Sequence, residues 1–221
     1  MYKVTSLLHF AEGIDEGAPR PILARLREFA ASSGAMRSLI EPTLPGVRNG
    51  GDLLVHLQFE KPDSWHAVRA AFNAVVDAPE VEHIDEVEYS SGESGTRSAN
   101  SAKVYRTLLL RVEDDVSHQV IRQFEDETLR MPGFIDSITS WQLSRVVSAR
   151  GTSQYTHVWE QEFTDLDGLM GPYLAHPVHW AYIDKWFDPE CPEVIIRDRV
   201  CHSFCRLDSS VIERLVPEMT A

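Results

Sequence analysis

The run Tyr173-Leu174-Ala175-His176-Pro177-Val178-His179 sets a phenol and two imidazoles within one short stretch, and His157 stands in the strand-like run Tyr155–Phe163 just before it. A neutral imidazole beside a phenol can move protons without a cofactor. Pro177 suits the first turn of a helix, where its missing N–H is no loss, and it pushes His176 toward extended geometry. His179 then falls in the first helical turn, where the positive end of the helix dipole disfavours imidazolium and leaves a neutral base at pH 7. Tyr173 lies just before the break. His157 alternates with Trp159, Gln161 and Phe163, and if that set faces inward it looks across the sheet toward His179. The candidate catalytic residues are therefore His179, Tyr173 and His157. His176, Trp159, Phe163, Trp141 and Trp180 are candidates for lining a substrate pocket. The bland alternatives stay open: His176 capping the break, His179 bonding a carbonyl, and Tyr173 filling core with one satisfied hydroxyl.

Metal readings are weaker. His176 and His179 with His157 form one conceivable set, but the proline turn aims the two rings apart and no carboxylate sits at ligand spacing. Cys201, His202 and Cys205 form another, but neighbours on a strand face opposite sides. No CxxC, HExxH, nucleophilic serine or phosphate-loop motif occurs. The expectation is no metal and no cofactor.

Two segments repeat one order of elements. In the first, strands are expected at 3–10, 35–47, 53–59 and 83–89, with helices at 20–31 and 63–76. In the second, strands are expected at 103–112, 134–147, 155–163 and 194–205, with helices at 117–130 and at 167–187, the latter broken at His176-Pro177. Each half reads β-α-β-β-α-β, a ferredoxin-like unit. Such a sheet carries helices on one face and leaves the other bare, so two copies can cover each other. The expected fold is α+β: two ferredoxin-like repeats forming an intrachain pseudo-dimeric α+β barrel. Residues 1–90 form the first half, 91–102 a polar Gly/Ser-rich linker, 103–207 the second half, and 208–221 a terminal helix or tail around Val211, Ile212 and Leu215. Aligning the halves sets Leu53, Arg69 and Val75 opposite His157, Tyr173 and His179, so the first half is chemically bare. The second half also holds Trp141, Trp159, Trp180 and Trp186 against Trp65 alone in the first. That bias suits an aromatic ligand.

The chain of 221 residues carries a formal charge of −13 with 43% apolar residues. A packed core is expected, and the basic footprint required for nucleic acid or anionic membranes is absent. A small molecule is the natural partner, and a homodimer of the whole chain is compatible. No apolar run reaches membrane-spanning length and the first residues read as a strand, not a signal peptide. Three cysteines, all in the second half, suit free thiols in the cytoplasm.

The Tyr-x-x-His-Pro-x-His run at Tyr173, His176, Pro177 and His179, between the Tyr155-Thr156-His157 strand and Val194-Ile195-Ile196-Arg197-Asp198, resembles the stress-responsive dimeric α/β-barrel (Dabb) family. The resemblance covers about residues 103–206; the first half matches by element order only. Single-domain members build the barrel by dimerising, so this chain is similar to a fused, tandem version. Members range from stress proteins of unclear activity to hydroxynitrile lyase and olivetolic acid cyclase-type polyketide cyclases, which close a ring by aldol chemistry without a cofactor. The resemblance to the cyclases implies His179 as base, Tyr173 as its assistant, and His157 as a third site residue. The function expected on that basis is a cofactor-independent cyclase or lyase acting on a small aromatic or polyketide-like carbonyl compound. The alternatives are a non-catalytic ligand-binding protein and a cofactorless monooxygenase.

Overall fold

The computed structural model describes residues 1–13, 19–97 and 102–212. The first half runs β1 (Tyr2–Phe10), α1 (Pro19–Ser32), β2 (Arg37–Pro42), β3 (Leu53–Phe59), α2 (Pro62–Val76) and β4 (Val81–Ser90). After a short β5 (Glu93–Thr96), the second half runs β6 (Val104–Leu110), α3 (His118–Arg130), β7 (Ile138–Arg150), β8 (His157–Phe163), helical turns from Leu166 to Trp186, and β9 (Cys201–Arg206). The strand order β2-β3-β1-β4 continues directly into β7-β8-β6-β9. Each half thus carries its second, third, first and fourth strands in the same order, the ferredoxin-like pattern, with every pairing antiparallel.

The halves join symmetrically. β4 pairs with β7 from Glu86↔Arg150 to Tyr89↔Val146. At the far edges, the bridges Thr43↔Cys205 and Arg48↔His202 bring the β2 side of the first sheet to β9. The fourth strand of each half therefore meets the second-strand side of the other, and the sheet curls into a barrel.

Alternation along the strands sorts three cores. In β3, Leu53, Val55, Leu57 and Phe59 face α1 and α2, where Ile22, Leu26, Phe29, Trp65 and Phe72 fill the space. In β6 and β8, Val104, Leu108, Trp159 and Phe163 face α3 and the helical turns. The opposite faces meet between the sheets, where Leu7, Leu54 and Val87 of the first half pack with Leu109, Val158 and Cys205 of the second.

That central core also holds charge. Lys3 Nζ lies 3.1 Å from Glu160 Oε2, with both side chains almost wholly buried. Gln142 accepts from the same ammonium, and Tyr105 donates to Glu160 Oε1 at 2.9 Å. His56 Nδ1 is 2.9 Å from Thr5 Oγ1, whose other contact is Tyr89. Burial and then the Lys3 charge push the His56 imidazole well below its ordinary pKa, so it is neutral. A buried ion pair is held by such surrounding donors and acceptors; without them desolvation exceeds the Coulombic gain.

Several elements depart from the sequence reading. Residues 93–96 of the expected linker form β5, paired with Trp141 and Leu143 of β7. Gly92 and Gly95 do not serve flexibility here: a Cβ would meet the Leu143 carbonyl at 2.0 Å and the Trp141 ring at 2.3 Å. Linker residues 98–101 lie outside the described residues. The last strand begins at Cys201, not Val194; the Ile195 and Ile196 N–H groups instead donate to the Trp186 carbonyl. The expected terminal helix is only partly described: Val211 and Ile212 are buried, their N–H groups donate to Glu162 Oε1, and 213–221 lie outside the described residues. Among the described residues, no helix is long and apolar enough to cross a membrane.

Replacing Lys3 with Met strands the Glu160 carboxylate and should cost about 3–5 kcal/mol of unfolding free energy. The double variant Lys3→Met, Glu160→Leu should regain most of it. Urea unfolding of the two variants checks this, and equal losses in both would place the cost in packing, not in charge.

Candidate functional site

The second-half helix is loosened where its first-half counterpart is regular. A turn at Leu166–Gly168, capped by Asp165, runs into π-helical turns at Leu169–Tyr173 and His179–Ile183 and a 3₁₀ turn at Asp184–Trp186. Pro172 and Pro177 remove two N–H donors from this segment, so a continuous α-helical ladder cannot form. The wide turns leave a cavity of about 240 Å³ between the segment, α3 and the helix-facing side of β6, β8 and β9. Its walls include Leu108, Phe124, Met131 and Ile183, and its polar groups include Arg106, Tyr173, His179, Asp184 and His202, with Arg48 of the first half at its edge.

Arg106 organises these groups. It occupies the helix-facing side of β6 and is only 4% exposed. Its Nε donates to His202 Nε2 at 2.7 Å and its Nη1 to Gln161 Oε1. Its guanidinium carbon stands 5.1 Å from the centre of the Tyr173 ring. Among the described residues no carboxylate lies at ion-pair distance from it; Asp184, in the same wall, attracts it only through space, so the cation meets the cavity with partial compensation. Two further polar atoms in the wall, Trp159 Nε1 and Thr128 Oγ1, are buried without a hydrogen-bond partner.

Tyr173 and His179 meet edge to face, ring centres 4.6 Å apart. Phe163 supports the phenol from behind at 5.3 Å. His179 Nδ1 is 3.6 Å from Asp184 Oδ2, which leaves the other ring nitrogen as the candidate proton acceptor. Burial, and then the Arg106 charge, push His179 down to about 4. Burial, and then the charges of Arg106, His179 and Arg48, push His202 down to about 2. Burial raises the Tyr173 phenol, and burial with Asp188 raises the Asp184 carboxyl. His179 is neutral at pH 7, with desolvation the leading cause and the neighbouring Arg106 charge the second.

The other candidates separate. Trp159 lines the cavity. His157 is not among the residues lining it: Nε2 is 3.1 Å from Glu125 Oε1, Nδ1 shares a hydrogen bond with Thr156 Oγ1, and the cavity-lining Phe124 packs against its ring. Burial would raise Glu125, but His157 and Arg145 hold it down to about 2, so the imidazole has an ionised partner. His176 caps the break, its Nδ1 accepting from the Val178 N–H at 3.1 Å. Trp141 is covered by Gly95, and Trp180 points outward at 58% exposure. Arg106 and His202 were missed as cavity residues. The signal for Arg106 was a charge within the otherwise apolar face Val104, Leu108, Leu110.

Because His179 and His202 stay neutral when folded, the unfolded chain binds more protons than the folded one below the ordinary imidazole pKa. Stability should therefore fall as pH drops from about 6.5 toward 4. Histidine ring NMR should place His179 near pH 4, and Arg106→Gln should move it upward. An unmoved value would remove Arg106 as a cause.

Among solved structures, an anthrone oxidase-like protein superposes with a TM-score of 0.67 at 9% identity, covering 93% of this chain and 90% of its own. A Lactobacillus acidophilus protein described as a monooxygenase gives 0.53 at 12%, covering 93% and 92%. A Fusobacterium nucleatum protein described likewise gives 0.58 at 7%, covering 91% and 90%. At such identities the likeness is one of fold, the dimeric α+β barrel. No curated protein matches the sequence. Residues 104–201, which supply most of the cavity lining, match the family model of the Stress responsive A/B Barrel Domain.

Proposed function

We propose that the second-half cavity binds a small aromatic or polyketide-like carbonyl compound and catalyses cofactor-independent proton transfer on it, as a cyclase or lyase. The observation that carries this reading is the buried Arg106, with no carboxylate in direct contact among the described residues, beside Tyr173 and His179. An enolate or phenolate oxygen formed in the cavity would neutralise that cation, and preorganised charge of this kind stabilises an oxyanion far better than water does. His179 would take the proton from the carbon next to a carbonyl, giving imidazolium and enolate. The enolate would attack a second carbonyl of the same molecule, and the imidazolium would return its proton to the new alkoxide. Tyr173, with its raised pKa, would stay protonated and donate to a substrate oxygen. His157 has no direct place in this sequence of steps; it would act through Phe124 and Glu125 by holding α3 against β8.

The depressed pKa of His179 favours a second reading. An imidazole held near 4 is a weak base for chemistry at pH 7. If nothing in the bound state raises it, the cavity only binds its ligand. An anionic intermediate beside Arg106 would raise it, so the two readings part on turnover.

Poly-β-ketone and aromatic β-dicarbonyl compounds should be screened with the wild-type protein and three variants, with and without oxygen. His179→Ala should cut the chemical rate by about 10²–10⁴. Arg106→Gln should cost about 10²–10³, the worth of one oxyanion donor. Tyr173→Phe should cost less, since it keeps the ring. The acid limb of kcat/KM in the wild type should lie near pH 4, the value of His179 in the free protein, and vanish in His179→Ala. Saturable binding without turnover would support the binding reading, and turnover that needs oxygen would point to a monooxygenase.

A further inference from the structure

We propose that His9, His83 and Asp85 form a divalent transition-metal site, of the zinc class, at the seam between the two halves. His9 on β1 and His83 on β4 are direct partners across an antiparallel pair. Their rings stack with centres 3.9 Å apart and planes 17° from parallel, so binding would turn the rings to bring both Nε2 lone pairs onto one ion. Both Nε2 atoms face one oxygen, Asp85 Oδ2, at 3.3 and 3.6 Å. All three ligand atoms lie within 4.8 Å of one another. Both Nε2 atoms are buried from solvent, and Asp85 is the polar group each of them faces. Ligands about 2.0–2.1 Å from a tetrahedral ion stand roughly 3.3 Å apart, so the two nitrogen–oxygen separations suit an ion between them. Two imidazoles and one carboxylate are a donor set for zinc and its neighbours, not for magnesium or calcium.

The carboxylate is held as a metal ligand requires. The other oxygen, Oδ1, accepts from the Thr152 N–H and hydroxyl at 2.7 Å each and from Tyr155 at 2.8 Å. Gly151 permits this close approach, since a Cβ there would stand 2.4 Å from Oδ1. All three donors belong to the second half, whereas the three ligands belong to the first. Cys201 Sγ approaches Oδ2 from the second half, at 3.6 Å. Partners that fix one carboxylate oxygen orient the other toward a metal. His83, with a side chain 35% exposed, gives the ion a way in. An ion here would lock Asp85 in place and, through it, the turn that joins β7 to β8. The site is separate from the Arg106 cavity, so neither reading depends on the other.

The test uses the full chain stripped by chelator. Zinc added in calorimetry should bind one equivalent, and cobalt should develop visible absorption bands. Zinc at about 100-fold above Kd should raise Tm by about 5 °C or more. Histidine NMR should show zinc shifting the Nε2 signals of His9 and His83 and sparing His179. His83→Ala should weaken zinc by at least the ~100-fold that loss of an orienting partner can cost, and Thr152→Val by about 10–100-fold. The His83 substitution lies at a partly exposed position, and the NMR experiment needs no variant, so a folding defect in His9→Ala would not blunt the test. Failure of the wild type to bind zinc saturably, shifts confined to other histidines, or unchanged affinity in His83→Ala would overturn the proposal.

Discussion

A four-stranded sheet with both helices on one face must bury its other face, and this chain meets that constraint with its own second copy. Pairing of β4 with β7, and of the β2 side with β9, spreads the requirement over two symmetric seams. Burial between the sheets is not purely apolar. The Lys3–Glu160 pair, with Gln142 and Tyr105 around it, crosses from one half to the other. An ion pair in such a place adds little net stability over a hydrocarbon contact, but it penalises any register that would leave one partner alone.

With the barrel core thus closed, the outer helix-facing layers are free to differ. In the first half Phe29, Trp65 and Phe72 fill the layer. In the second, proline breaks the helix into wide turns, and the space beneath becomes the cavity. A charge can stand there because Gln161 and His202 accept from the guanidinium and the Tyr173 ring faces it. Desolvation and that charge then hold His179 and His202 neutral. Burial thus leads in setting the protonation of the site, and Arg106 reinforces it at both imidazoles.

Much of the fold was legible because alternation is a local signal. Leu53, Val55, Leu57 and Phe59 mark a strand without reference to anything distant, and the repeated order of elements implies the two-sheet solution. The Tyr173–His179 run likewise marks its own break through Pro177. What was not legible depends on partners far apart in sequence. Gly92 and Gly95 resemble a flexible linker until Leu143 and Trp141 are placed against them. Val194–Ile196 has strand composition, yet the Trp186 carbonyl takes the Ile195 and Ile196 N–H groups and the Cys191 carbonyl that of Val194. Arg106 is one charge in an apolar run, and only the neighbouring strands reveal that it is buried. His157 has the alternation of a cavity residue, but Glu125 and Thr156 occupy both its nitrogens. His9, His83 and Asp85 converge only when β1 and β4 pair.

The central claim is that Arg106 makes this cavity favour an oxyanion. A series of nitrophenols bound to the protein tests it without knowledge of the substrate, because absorbance reports the fraction ionised. The account predicts that bound nitrophenol ionises at lower pH than the same compound in water, and that Arg106→Gln abolishes the difference while His157→Gln leaves it in place. Binding of the neutral phenol in preference to the phenolate, or an undiminished shift in Arg106→Gln, would contradict it.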